Sequence, residues 1–215
     1  MRAFVVHDAE LQLGLANVPA QLEPAVVQLG FEPAGTVFVR RFAGDAPYAA
    51  AAAERFEEYA QRMVLQAARV EPVPWRAALE EVLARVEPDG WWLAGSAALA
   101  VRGVPVAPRD IDLISDADGC ARLADALADD LVEPLVDGGW LGERWFRAFV
   151  GGARVECVGG VHATHDKPVP SDFGPVAAAR LATVHWRGWT LRVPPLELQL
   201  ASRQRRGISR TSSCR

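Results

Sequence analysis

Between Trp91 and Asp116 the chain reads WWLAGSAALAVRGVPVAPRDIDLISD, and no other stretch restricts the fold so tightly. WWLAG and RDIDLIS are apolar runs of strand length. The first closes on Gly95-Ser96 and passes into a short helical run, SAALAVRG. Side chains two apart on a strand share a face, so Asp110 and Asp112 point the same way with α-carbons about 6–7 Å apart, while Arg109, Ile111 and Leu113 face the other side. Two carboxylates at that distance repel by roughly 2–3 kcal/mol at an effective dielectric of about 20. A divalent cation offsets that cost directly, because magnesium prefers hard oxygen ligands and is usually held by one or two carboxylates plus substrate phosphates. Solvation of both acids at an exposed strand end is the alternative that DID alone leaves open.

Gly95-Ser96 narrows the choice. It falls where a strand turns into a helix, a place where backbone amides and the helix dipole can receive a phosphate and where glycine permits close approach. Ser96 either adds a donor or only caps the helix. An amide cradle followed by a carboxylate pair supplies the two halves of a nucleoside-triphosphate site. A third acid, Glu156 in RVECV, stands between apolar neighbours on a predicted strand. A buried carboxylate is costly unless it is paired or bound to metal. If its strand neighbours that of Asp110 and Asp112, Glu156 reads as a metal ligand or base; the other reading is an ion pair with Arg154, which shares its face.

The rest of the chain mostly bounds the answer. Its 215 residues are half hydrophobic, enough for a substantial core. AFVV and GTVFVRRF read as strands, and PAQLEPAVVQLG and AAAAAERFEEYAQRMVLQAARV as helices, before EPVPW interrupts the pattern. We therefore expect a small α/β segment over residues 1–72, a second part over 73–208 carrying the acids, and a disordered tail over 209–215. In the second part, ERWFRAFVGG with ARVECVGG and TVHWRGWTLRV read as hairpins, and PPLELQLASRQRR as a last helix.

The net charge of −4 gives no basic footprint for nucleic acid. Cys120, Cys157 and Cys214 have neither paired-metal nor disulfide spacing, and no apolar run suits a signal or a membrane span, so a soluble cytoplasmic protein is expected. His162, His165 and Asp166 read as loop residues rather than metal ligands, and His185 as structural. Trp140, Trp145, Trp186 and Trp189 suit a core or half-buried surface better than a base-stacking wall, and Glu143 is a candidate acceptor-binding carboxylate.

With LAGS, thirteen intervening residues, DIDL and later VECV, residues 91–158 resemble the DNA polymerase β-like nucleotidyltransferase superfamily. LAGSAALAVRG and PPLELQLASRQRR look most like its small bacterial members, among them the aminoglycoside and lincosamide nucleotidyltransferases. Two features depart from those proteins: Arg203 stands where they often have lysine, and GISRTSSCR lacks their usual continuation. The resemblance implies an α/β (α+β) fold with a small mixed sheet and flanking helices. It further implies that Asp110 and Asp112 hold two magnesium ions, that Glu156 completes the second site or acts as base, and that Gly95 and Ser96 hold the β- and γ-phosphates of an NTP. Arg109 either anchors the sheet or touches phosphate, and Arg203 is a candidate nucleotide contact. The implied reaction moves a nucleoside monophosphate to a hydroxyl of a small molecule, an antibiotic being one candidate, and releases pyrophosphate. RNA or a partner protein as acceptor, as in toxin–antitoxin relatives, and a non-catalytic regulator keeping the fold are the alternatives.

Overall fold

Strands open the chain in the computed structural model, which describes residues 1–87, 89–202 and 204. Strands β1 (Arg2–His7), β2 (Glu10–Ala16), β3 (Glu32–Ala34) and β4 (Val37–Ala43) form an antiparallel sheet in the order β1-β2-β4-β3. Helix α1 (Glu23–Gln28) lies between β2 and β3, and α2 (Ala49–Ala67) follows β4. Along α2 the buried residues Ala53, Phe56, Ala60, Met63, Val64 and Ala67 recur every three or four positions, so one stripe is buried. Strand β2, ELQLGLA, was not anticipated, although Leu11, Leu13 and Leu15 alternate and are all fully buried. Gly14 breaks the apolar pattern there because the Phe4 ring occupies the space of a β-carbon.

After α3 (Trp75–Arg85) comes the central sheet: β5 (Trp91–Ala94), β6 (Ile111–Ser115), β7 (Leu131–Val136), β8 (Gly142–Val150) and β9 (Ala153–Val161), in the order β5-β6-β9-β8-β7. The β6 and β9 strands run parallel and every other pair antiparallel. This is the mixed sheet with flanking helices that the sequence predicts. Helix α4 (Gly95–Ala100) follows β5, and α5 (Ala117–Ala126) follows β6. The unanticipated strand β7 carries Pro134 and Glu133 within LVEPLV; the proline is tolerated because β7 is the sheet edge. Helix α6 (Pro175–Ala178) and the hairpin β10 (Ala182–Trp186) with β11 (Trp189–Val193) follow, and residues 196–202 are helical. The hairpin turns at Arg187-Gly188, both at positive φ.

Alternation gives the central sheet two different faces. Leu93, Ile111, Leu113, Phe146, Ala148, Val155 and Cys157 pack with the apolar stripes of α3, α4 and α5. Trp92, Ile114, Val132, Trp145, Phe149 and Val158 belong instead to a second core with Leu11, Leu13, Leu15, Phe31, Phe56 and Met63. Residues on both sides of the 72/73 link therefore share one hydrophobic cluster, and α2 packs on both β1 and β7.

Candidate active site

Asp110 and Asp112 border a cleft of about 940 Å³ together with Gly95, Ser96 and Arg109. The end of α2 and the link to α3 also line it, through Gln66, Arg69 and Val70 among others, as do Asp172 and Gln199. Sheet pairing explains why residues distant in sequence meet here. The antiparallel β5/β6 register sets Ala94 opposite Asp112, so the next residue, Gly95, lies against the Asp112 carboxylate. Gly95 has φ +61°, and a β-carbon there would overlap Asp112 Oδ2. The glycine is thus required twice, by its backbone and by its neighbour. Ser96 is not a helix cap: Ala94 occupies that position and no side chain caps α4. Asp110 sits one residue before β6, so the pair spans the strand's entry instead of lying wholly within it.

The parallel β6/β9 register places Glu156 opposite Asp112. An arginine occupies the ground between the acids. Arg154 donates from Nη2 to Asp110 Oδ2 at 2.8 Å and from Nη1 to Glu156 Oε1 at 3.2 Å. Arg147 Nε donates to the same Glu156 oxygen at 3.0 Å, while its Nη1 bonds to Glu133. Glu133 in turn pairs with Arg40 Nε at 3.0 Å. Arg40 and Arg147 both donate to the Leu29 carbonyl, at 2.6 and 3.1 Å. Of the two readings of Glu156, the arrangement present is the ion pair, and it has two arginines in place of one. Among the described residues no group of three or more His, Cys, Asp or Glu side chains is disposed to hold a metal ion.

The charges respond to these surroundings. Burial pushes the Glu156 carboxyl upward, but Arg147 and Arg154 outweigh it and hold the group below its ordinary value. Burial, reinforced by Glu156, raises Asp110 against the pull of Arg154. Burial likewise raises Glu133 in spite of Arg147 and Arg40.

Gln66, Arg69, Asp172 and Gln199 are among the cleft residues that escaped sequence reading. Gln66 donates to the Gly152 carbonyl at 2.7 Å and Gln199 to the Gly95 carbonyl at 3.2 Å, so both brace glycines of the central sheet's turns. The amide of Asp172 donates to Ser202 Oγ at 3.0 Å, joining the loop before α6 to the last helix. Arg69 ends α2 at φ +62°: its amide donates to the Gln66 carbonyl, and the Val70 amide to that of Leu65. That pairing is a Schellman closure with arginine where glycine is usual. Only Gln66 left a trace in the sequence, as a polar residue on the buried face of α2.

The residues set aside earlier stay apart from the cleft. His162 and His165 bond through Nε2 to the carbonyls of Gly139 and Trp140, and Asp166 accepts from the amides of Ser171 and Val176, so the loop is tied by its own side chains. His185 meets Thr190 across its hairpin. Trp145 is buried, Trp186 stacks on Trp75 with ring centroids 5.8 Å apart, and Trp140 and Trp189 are exposed; none of the four lines the cleft. Glu143 lies beside Gly160, also outside it. Arg203 and the tail over 209–215 fall outside the described residues.

No family model and no curated protein matches the sequence. Among solved structures, the crystal structure of a candidate nucleotidyltransferase from Thermotoga maritima superposes with a TM-score of 0.53, covering 68% of this chain and 94% of that one at 18% identity. The chain has a nucleotidyltransferase fold. At that identity the likeness concerns the fold alone. Among the described residues no helix is long and apolar enough to cross a membrane.

Proposed function

We propose that the protein is a magnesium-dependent nucleotidyltransferase that moves a nucleoside monophosphate from an NTP to a hydroxyl of a small molecule. The observation that carries this reading is the fit of Gly95 against Asp112, with Asp110 and Ser96 in the same cleft. A β-carbon would fill the space beside the carboxylate, so the backbone there is bare where a triphosphate would have to approach. The donor set suits the ion: two carboxylate side chains and room for phosphate oxygens match the way magnesium is commonly held, and the cleft contains no soft ligand. Asp110 and Asp112 would hold it, and when bound it would draw charge from the phosphates.

The protein's own groups do the remaining work in this reading. Gly95 and Ser96 bind the β- and γ-phosphates, and Arg69 and Arg109 supply positive charge at the cleft wall. The acceptor oxygen attacks the α-phosphorus, the bond from that phosphorus to the bridging oxygen breaks, pyrophosphate leaves, and the hydroxyl proton is released to water. Glu156 contributes indirectly: held by Arg147 and Arg154, it fixes the arginine that orients Asp110. A cleft of about 940 Å³ accommodates an NTP with a small acceptor.

The test is transfer from α-labelled ATP, GTP, CTP and UTP, with magnesium, into fractionated small molecules, RNA and protein, beside the Asp110→Asn/Asp112→Asn variant. Label in the small-molecule fraction, absent with the variant, is the expected result. Label in RNA or protein would replace the acceptor class. Metal-dependent nucleotide binding without transfer into any fraction would indicate a regulator that retains the fold.

A further inference from the structure

The row of ion pairs beside the acids makes Arg154 more than a structural neighbour. We infer that Arg154 is a resident cation standing where a second metal ion would otherwise be needed, and that it limits the site to a single divalent ion. The inference rests on the magnesium reading above and concerns a positioning residue, since Arg154 acts through Asp110. Its fork spans two carboxylates at once, Nη2 on Asp110 and Nη1 on Glu156, with Nη2 also 3.4 Å from the Arg109 carbonyl. A planar guanidinium can bridge in this way and stays protonated, so the positive charge is permanent. Its side chain is only 4% exposed, and residues 154 and 156 share one face of β9, whose register with β6 sets Glu156 opposite Asp112 while Arg154 reaches Asp110.

Glu156 is not available to take a metal in exchange. Its carboxylate also receives Arg147, which is 5% exposed and anchored to Glu133 and to the Leu29 carbonyl. Turning Glu156 toward an ion would leave two buried guanidiniums without their shared partner, the costliest way to break such a pair. A second divalent ion would moreover have to settle against a fixed positive charge. One oxygen of Asp110, Oδ2, is already engaged by Arg154, which sets how that carboxylate can be presented to the first ion.

Mn²⁺ binding to the full chain, counted by electron paramagnetic resonance without nucleotide, tests this directly. The wild type is expected to bind one ion per chain, lost in Asp112→Asn. The charge-balanced variant Arg154→Gln/Glu156→Gln releases Asp110 from its cation, and its Mn²⁺ affinity should rise about tenfold, the lower range of what a neighbouring cation does to a carboxylate's affinity for a proton. Unchanged or weaker binding by that variant, shown to be folded by circular dichroism, overturns the inference and marks Glu156 as a ligand. Two ions on the wild type overturn it without any variant and leave the proposed function standing. No Mn²⁺ binding by the wild type either alone or with a nonhydrolysable nucleoside triphosphate would refute the magnesium reading itself, and this inference with it.

Discussion

Replacing Gly95 by alanine tests the local geometry on which the site depends. Two costs add. The residue sits at φ +61°, where an L side chain costs roughly 1–2 kcal/mol. The new β-carbon would also overlap Asp112 Oδ2 and lie 3.1 Å from its Cγ, so the carboxylate must leave its rotamer at a further ~0.5–1.5 kcal/mol. Gly95→Ala should therefore lose about 2–3 kcal/mol of stability, read as a lower urea midpoint with an unchanged slope. The two costs separate in a double-mutant cycle. In an Asp112→Ala background the overlap disappears and only the backbone term remains, so the same substitution should cost about 1 kcal/mol less there. Equal losses in the two backgrounds would show that Gly95 is needed for its backbone alone, and would remove the fit to Asp112 from the case for a phosphate approach.

Other consequences follow from the same geometry. Arg69→Gly should relieve the left-handed end of α2 and raise stability by up to ~1 kcal/mol, yet weaken triphosphate binding roughly two- to five-fold because a cation leaves the cleft; calorimetry on the variant reads both. Cys120 and Cys157 are fully buried, and burial drives the Cys157 thiol well above its ordinary value, so neither should react with Ellman's reagent until the protein is unfolded in denaturant. Glu156 is held below its ordinary value by Arg147 and Arg154, so its ionised form stabilises the native state above about pH 4.5 and that contribution is lost as pH falls through the lower native value. The stability difference between wild type and Glu156→Gln should accordingly shrink on acidification below pH 4.5, measured by urea melts at successive pH values. A difference that grows on acidification would mean that Glu156 is buried without effective partners.

The acids were legible because their signals are local. Two aspartates one residue apart at a strand, and a Gly-Ser closing the strand before it, can be read without knowing what they touch. Glu156 was legible as an acid among apolar neighbours and Arg154 as its possible partner, but the structure leaves it part-buried and adds a second partner, Arg147, which comes from the neighbouring strand β8 and enters through register, not sequence proximity. Strand β2 was missed because Gly14 interrupts the apolar run, and only the packed Phe4 ring shows why a glycine belongs there. Strand β7 was missed because proline and glutamate within six residues argue against a strand unless it is an edge with buried arginine partners. Arg69 and Gln66 reach the cleft only through the packing of α2 against the central sheet, a contact between segments far apart in the chain.

That packing also gives the first seventy residues a purpose in the site. The face of the central sheet that carries Asp112 and Glu156 is the face shared with the amino-terminal core, so beyond the cleft its charged groups Glu133 and Arg147 are cut off from water. The ion pairs beside the cleft run in one row, Asp110, Arg154, Glu156, Arg147, Glu133 and Arg40, alternating in sign. The last member comes from β4, and the Leu29 carbonyl just beyond α1 accepts from both Arg40 and Arg147. An apolar cover alone would have left the fully buried Glu133 with Arg147 as its one arginine, and Arg147 without the Leu29 carbonyl that helps hold it beside Glu156. The amino-terminal segment therefore does two things with one contact: it buries the apolar part of the sheet, and it closes the electrostatic row whose other end orients Asp110.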